Sequence, residues 1–538
     1  MPPLQGRRSP QDLDRTDAPL PRLPGHRNHP LIPIRHRHGG DPHAHRRTTH
    51  PHPCRFGGPP RKVTTITPEF TPADRRAVLD RAARLRQLPE ADRDAIRLAQ
   101  DPKFPRLLEQ ITATGGCSHP VHLTGSTTTL DGTTGEILHH YDTRDEPGER
   151  LLIRCRNRRA TVCPACSRLH AGDTYHLVRA GLLGGKNVPD TVRHRPRLFV
   201  TLTAPSFGPV HRSGEKCHRR RYSGDCEHGR PLGCGAVHES DAPIVGQPLC
   251  VDCYDYTAHV LWHAHASKLW DRFVIDVRRR LASSAGLVQS HFAQHARLSF
   301  ARVAEYQKRA AVHVHAVVRL DGPNGCDDKP PAWGTTDLLA HAVRLSAKRV
   351  LVRTPYSPAV GELALRWGAQ VDVRPLHVDG DGPDDDAVAA YVAKYVTKGA
   401  SETGAGVDHP LTGRAEIGLA RVSEHVRSLM RACWHLGGLS EYDALRLRAW
   451  AHTLGYRGHI LTKSRAYSTT YAALRAARAS HSADERKLGE NTVTEVAWHY
   501  VGSGHTPGAV QLAAGIAEDL AQNRVFAREA MADRGWDE

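Results

Sequence analysis

Apolar and polar positions recur with two different periods along this chain. Val78, Leu79, Ala82, Leu85 and Leu88 stand at helical spacing, and a second helix is expected over roughly Glu90–Gln100. The same period returns in His170–Leu183 and in Tyr256–Ala285, where Leu261, Leu269, Phe273 and Val277 face inward. Between these helices Leu198–Thr203 reads as a strand stopped by Ala204-Pro205. Ala296–Tyr306 and Val312–Leu320 read as two strands of a hairpin joined by Gln307–Ala311. Thr335–Arg349 is expected as helix, Gln370–Pro375 as strand and Ala387–Lys398 as helix, the last preceded by Asp384–Asp386, which suit a helix N-terminus. Beyond Gly399 the helical period dominates, in Val422–Leu436, Glu441–Leu454, Ser468–Ala479 and Pro507–Glu529. These elements predict an α+β fold with an antiparallel sheet backed by helices.

Period two in Ala311–Asp321 (AVHVHAVVRLD) sends Val312, Val314, Ala316 and Val318 to one face and His313 and His315 to the other. The two imidazoles stand about 7 Å apart at their backbones, a workable start to a divalent-metal site. A hairpin register that sets Glu305 opposite His313 adds a carboxylate to that face, as a third ligand or a general base. In Ala387–Lys398 (AVAAYVAKYVTK), Tyr391 and Tyr395 share one helical face, and so do Lys394 and Lys398. Each stretch alone also fits a plain core strand or an amphipathic helix.

Taken in order, FVTLTAP, HVHAVV and YVAKYVTK resemble the motifs of the HUH endonucleases, most closely the rolling-circle replication initiators of bacterial plasmids and some phages. The flanks, including LRLRAWAHTLGYRGHILTKSRAYSTTYAALRAARA, look like actinomycete plasmid initiators. The resemblance implies a site-specific single-strand nicking and joining enzyme. His313, His315 and a third group such as Glu305 would hold magnesium or manganese. Tyr391 or Tyr395, with Lys394 and Lys398 nearby, would form a 5′-phosphotyrosine link and free a 3′-hydroxyl primer. The implied partners are plasmid origin DNA (a single-stranded nick site and flanking duplex), a host helicase and a DNA polymerase. Other readings are an HUH transposase or relaxase, or a non-enzymatic zinc-bearing nucleic-acid regulator. A relaxase usually places its tyrosine ahead of the histidines, and here the order is reversed.

The chain has 538 residues and a formal net charge of +17, which points to a polyanionic partner. No apolar run approaches the ~20 residues of a membrane span, and the N-terminus lacks a signal-peptide core, so a cytoplasmic protein with no membrane partner is expected. Its 12 cysteines are then zinc ligands or free thiols rather than disulfides. Cys163-Pro-Ala-Cys166 with Cys155 and Cys117 forms one expected zinc set, with His119 as an alternative to Cys117. Cys250-Val-Asp-Cys253 with Cys226 and Cys234 forms a second, with Cys217 and His228 as alternatives; Arg219, Arg220 and Arg221 beside it suit DNA. The expected organisation is a disordered His/Pro/Arg-rich tail (1–62), a helical segment (63–115), a four-cysteine zinc segment (116–190), an HUH core (191–400) with a zinc insertion at 211–256, and a helical C-terminal domain (401–538). In the last, a helix-turn-helix-like unit around Leu439–Gly458 would place Arg446, Arg448, Arg457, Lys463 and Arg465 near a phosphate backbone.

Overall fold

A computed structural model describes residues 71–218, 224–376, 385–397, 406–407, 409–484 and 491–532. Contacts divide the chain into Met1–Ala73 and Asp74–Glu538, and the second unit carries every element below apart from the first two residues of the first helix. The expected tail, Arg219–Arg221 and Lys398 lie outside the described residues.

Three helices come first: α1 (Pro72–Gln87), α2 (Glu90–Ala99) and α3 (Phe104–Ala113). Strands β1 (Val121–Asp131), β2 (Ile137–Asp142) and β3 (Leu151–Ile153) follow, then α4 (Pro164–Leu183) and β4 (Arg197–Leu202). Helix α5 (Tyr256–Ser284) and the short α6 (Phe292–His295) lead into the hairpin β5 (Arg297–Tyr306) and β6 (Val312–Asp321). Next come α7 (Thr336–Arg349), β7 (Leu351–Arg353), β8 (Ala364–Arg366), β9 (Val371–Pro375) and α8 (Asp385–Thr397). The chain continues through α9 (Arg414–Leu419), α10 (Glu424–Leu436), β10 (Leu461–Lys463), α11 (Tyr471–Asp484), β11 (Thr492–Ser503) and α12 (Pro507–Ala532).

The central sheet has five strands in the order β10-β5-β6-β4-β9, antiparallel at every pair. The alternation in these strands explains its two coverings. Leu198, Val200 and Leu202 of β4 and Val314, Ala316 and Val318 of β6 point to one face. There they join Leu261, Trp262, Leu269, Trp270, Phe273 and Val277 of α5 and Leu339 and Val343 of α7 in the main core. Each fully buried side chain of this size contributes about 1.5–3 kcal/mol, so α5 is held chiefly by this face. The opposite face carries Ala301, Val303 and Val317, which pack with Leu177, Val178 and Leu182 of α4 and Val388, Ala389 and Val392 of α8. This second layer lays α8 against the face that also carries His313 and His315.

The α+β class and antiparallel sheet agree with expectation, and two segments differ. Glu441–Leu454 is not a helix: short 3-10 turns over Ser440–Leu445 and Ala451–Thr453 are separated by Arg446 at φ 49°. Leu445, Leu447, Ala451 and Leu454 are all buried, so burial on several sides replaces a one-sided helical stripe, and the helix-turn-helix arrangement does not form. Lys463 is turned inward as well, its ammonium donating to the Ser468 carbonyl at 2.9 Å. The second difference is a separate sheet, β11-β1-β2 with β3 also on β1, which pairs Val121–Asp131 with Thr492–Ser503 across most of the chain.

Candidate active site and metal clusters

Register builds the site. In the β5–β6 hairpin Glu305 stands opposite His313, and in the β4–β6 pair Thr201 stands opposite His315. Side chains two apart on β6 and directly across on β4 and β5 share one face. The result is a triangle of ligand atoms. His313 Nε2 lies 3.0 Å from Glu305 Oε2, His315 Nε2 lies 3.3 Å from the same oxygen, and the two Nε2 atoms are 3.2 Å apart. Ligand atoms about 2.1 Å from a six-coordinate cation lie about 3.0 Å apart on adjacent vertices, so the spacing fits such an ion.

The chemistry of the donors fits as well. Among the described residues, His315 Nε2 has three polar neighbours within 3.3 Å: His313 Nε2, Glu305 Oε2 and the Tyr391 hydroxyl, at 3.0 Å. One ring nitrogen offers either a single proton or a single lone pair, so it cannot satisfy all three, whereas a cation among them can. Burial pushes the His315 imidazole below the ordinary histidine value, keeping it neutral. Burial opposes the charge on Glu305, but hydrogen bonds to His313 and His315 outweigh it and bring the carboxyl down to about 2. An ionised carboxylate beside neutral imidazole is the charge state a divalent ion requires.

A second layer orients these groups. The Thr201 hydroxyl lies 3.0 Å from His315 Nδ1, leaving Nε2 for the site. Phe199 stacks flat on the His315 ring with centroids 5.8 Å apart and meets Tyr391 edge-on at 6.0 Å. Gln307 lies 3.4 Å from His313 Nδ1, too long to fix its tautomer. The start of α8 is pinned from two sides. Arg197 of β4 pairs with Asp385 at 2.8 Å in a buried contact, and Arg179 and Tyr175 of α4 reach Asp386 at 2.6 and 2.8 Å. These contacts fix the rotation of α8, which presents Tyr391 to His315. Lys394 is exposed on the same helix. Tyr395 follows one turn after Tyr391; its side chain, like Lys398, lies outside the described residues.

Among the described residues, three further groups of ligand atoms converge. Cys117, Cys155, Cys163 and Cys166 form one, with Cys117 Sγ 3.8 Å from Cys163 Sγ and 3.6 Å from Cys166 Sγ. Two thiolates on a tetrahedral zinc with bonds of about 2.3 Å stand about 3.8 Å apart. Backbone N–H groups of Ser118 and Cys155 point at the sulfurs of Cys163 and Cys117. The second expected set needs correction. Cys226, Cys250 and Cys253 gather with His228, not with Cys234; His228 Nδ1 lies 3.3 Å from Cys253 Sγ. Cys234 sits in a different group with His211, Cys217 and His238. Cysteine pairing alone could not separate two interleaved sets, because the missing partners are histidines in a chain that holds 36 of them. Thr201, Phe199, His211 and His238 also escaped the sequence reading; the FVTLT strand was the one visible signal for Phe199 and Thr201, and it reads as core.

The family described as "Replication initiator protein, pSAM2" (RepSA) matches residues 103–518. A replication initiator protein of Streptomyces ambofaciens is 47% identical over 457 residues, spanning 82% of this chain and 96% of that relative. No solved structure matches. Among the described residues no helix is long and apolar enough to cross a membrane. With a match over most of its length, this chain belongs to the RepSA family of replication initiators.

Proposed function

We propose that this chain starts replication by nicking one strand of its plasmid origin with Tyr391 as nucleophile, on an HUH-type core formed by β4, β5, β6, β9 and α8. The observation that carries the proposal is the Tyr391 hydroxyl 3.0 Å from His315 Nε2, at the rim of the Glu305–His313–His315 triangle. Magnesium or manganese held by Glu305, His313 and His315 would supply Lewis-acid polarisation of the scissile phosphate and orient it.

The chain's own residues perform the rest. The phenol oxygen of Tyr391 bonds to phosphorus in line with the leaving group as the bond to the 3′ oxygen breaks. The phenol proton passes to solvent, and the 3′ oxygen takes one up to become the primer hydroxyl. The 5′-phosphotyrosine keeps the ester energy for strand rejoining. Lys394, three residues on and exposed, reaches the phosphate charge beside the nucleophile. Tyr395, one turn further, is the proposed second nucleophile for termination, and Lys398 its basic partner. Thr201 and Phe199 hold the His315 ring, and Arg197 and Arg179 hold the helix. Cys117, Cys155, Cys163 and Cys166, and separately Cys226, His228, Cys250 and Cys253, are proposed as structural zinc sites. The partners are the single-stranded nick site with its flanking duplex, a host helicase and a DNA polymerase, and the protein works in the cytoplasm.

Family membership supports an initiator over a transposase or a relaxase. The test is incubation with a labelled single-stranded oligonucleotide from the origin, with and without manganese. A manganese-dependent protein–DNA adduct that survives SDS is expected; cleavage without any adduct would contradict the tyrosine mechanism.

A further inference from the structure

The group formed by His211, Cys217, Cys234 and His238 lies apart from both proposed zinc sites and from the catalytic triangle. His211 Nδ1 is 3.3 Å from His238 Nε2, Cys234 Sγ is 3.3 Å from His238 Nε2, and Cys217 Sγ is 3.8 Å from His211 Nδ1. A tetrahedral zinc with two imidazoles and two thiolates sets N···N at about 3.3 Å and S···N at about 3.5 Å, so the spacing fits. The Arg212 N–H points at Cys217 Sγ at 3.3 Å, as a backbone donor does toward a metal-bound thiolate. Two thiolates exclude the hard oxygen-seeking cations and favour zinc. The surrounding chain has little else to hold it. It contains isolated bridges, Lys216 with Val237 and Val210 with Pro248, and no named helix or strand among its described residues. Segments this poor in apolar residues need a metal to keep one shape.

The segment also leans on the catalytic hairpin. His211 exchanges backbone hydrogen bonds with Gly246 and Gln247 at 2.9 and 2.8 Å. Gly246, at φ +90°, lies so near the β5–β6 turn that a Cβ there would stand 2.3 Å from the Lys308 carbonyl oxygen. Lys308 reaches back to the Ser240 carbonyl. Next to it, Arg309 binds the Pro205 and Ala204 carbonyls at 2.7 and 2.8 Å and Gln307 Oε1 at 2.9 Å. That turn joins the strand of Glu305 to the strand of His313.

We propose that His211, Cys217, Cys234 and His238 bind a third zinc ion, and that this ion braces the turn between Glu305 and His313. The bracing clause rests on the catalytic reading above; the zinc clause stands without it. Zinc per chain is counted by native mass spectrometry in the full-length protein carrying His315→Ala, which removes the catalytic cluster as a competing site. Three zinc ions are expected; two would overturn the site. Adding Cys234→Ser and His238→Ala should lower the count from three to two, and an unchanged count would overturn the assignment of ligands. If that variant does not fold, the count in the His315→Ala protein alone decides. Bracing is read from manganese binding by electron paramagnetic resonance, with His315 intact. Cys234→Ser with His238→Ala should weaken it at least tenfold, and so should Gly246→Val, which leaves all zinc ligands in place. Unchanged manganese affinity in both would overturn bracing. None of these readouts requires strand cleavage, so they fail or succeed separately from the nicking reaction.

Discussion

Replacing Thr201 by Val removes one hydroxyl and keeps the shape and branching that suit a strand. The lost contact is the 3.0 Å hydrogen bond to His315 Nδ1. Two consequences have different sizes. Folding loses one neutral hydrogen bond, about 0.5–1.5 kcal/mol. The site loses the hydroxyl that holds His315 at Nδ1 and so fixes its ring angle. Outer partners of metal-binding histidines are typically worth about 10–100-fold in metal affinity, or roughly 1.4–2.7 kcal/mol. The binding effect should therefore exceed the folding effect and appear as a shift along the metal axis. Nicking of an origin oligonucleotide is measured against manganese concentration for wild type, Thr201→Val and Thr201→Ser. Thr201→Val should move the midpoint 10–100-fold higher and recover most of the rate at saturation. Thr201→Ser, which keeps a hydroxyl, should stay near wild type. An unchanged midpoint in Thr201→Val would refute the reasoning that Thr201 acts through His315.

Asp385→Asn weakens the ion pair with fully buried Arg197 and should cost up to about 3–5 kcal/mol, measured by urea unfolding; a change under about 1 kcal/mol would mean the pair does not anchor α8. Burial pushes His263 and His425 down to about 4, and His259 well below its ordinary value. Their depressed values mean the unfolded chain takes up protons first, so stability is complete above about pH 6.5 and falls toward pH 4. Between pH 7 and 5.5 the loss should be about 1.2 kcal/mol for each of His263 and His425, and a flat stability profile would contradict it. His228→Ala should release one zinc ion while leaving the four-cysteine site loaded, as counted by mass spectrometry; loss of no zinc would remove His228 from its group.

The hairpin and the tyrosine helix were legible because each satisfies one period on its own. Val312–Ala316 alternates between apolar residues and histidines, and Asp385–Thr397 has good helix formers with acids at its start. The pairing of Glu305 with His313 was one assumed register of that hairpin, and it is the register the strands adopt. Features that join distant residues were not legible. β1 is rich in Thr and half-buried along most of its length, so it carries no apolar alternation, and its partner β11 begins at Thr492. The Arg197–Asp385 pair spans the sheet and a later helix, and nothing in either local sequence points to the other. Cys234 was misplaced for the same reason: ligand sets that interleave are separated by the path of the backbone, which spacing does not record.

Tyr391 is the proposed source of the oxygen that attacks phosphorus in strand cleavage. The direct measurement is peptide mapping by mass spectrometry of the adduct formed with origin DNA and manganese, run beside the Tyr391→Phe variant. Wild type should carry the 5′-phosphate on the Tyr391 oxygen, and Tyr391→Phe should form no first-strand adduct while keeping its fold and zinc. An adduct at wild-type level in Tyr391→Phe, or mapping to any other residue in the first cleavage, would contradict the account.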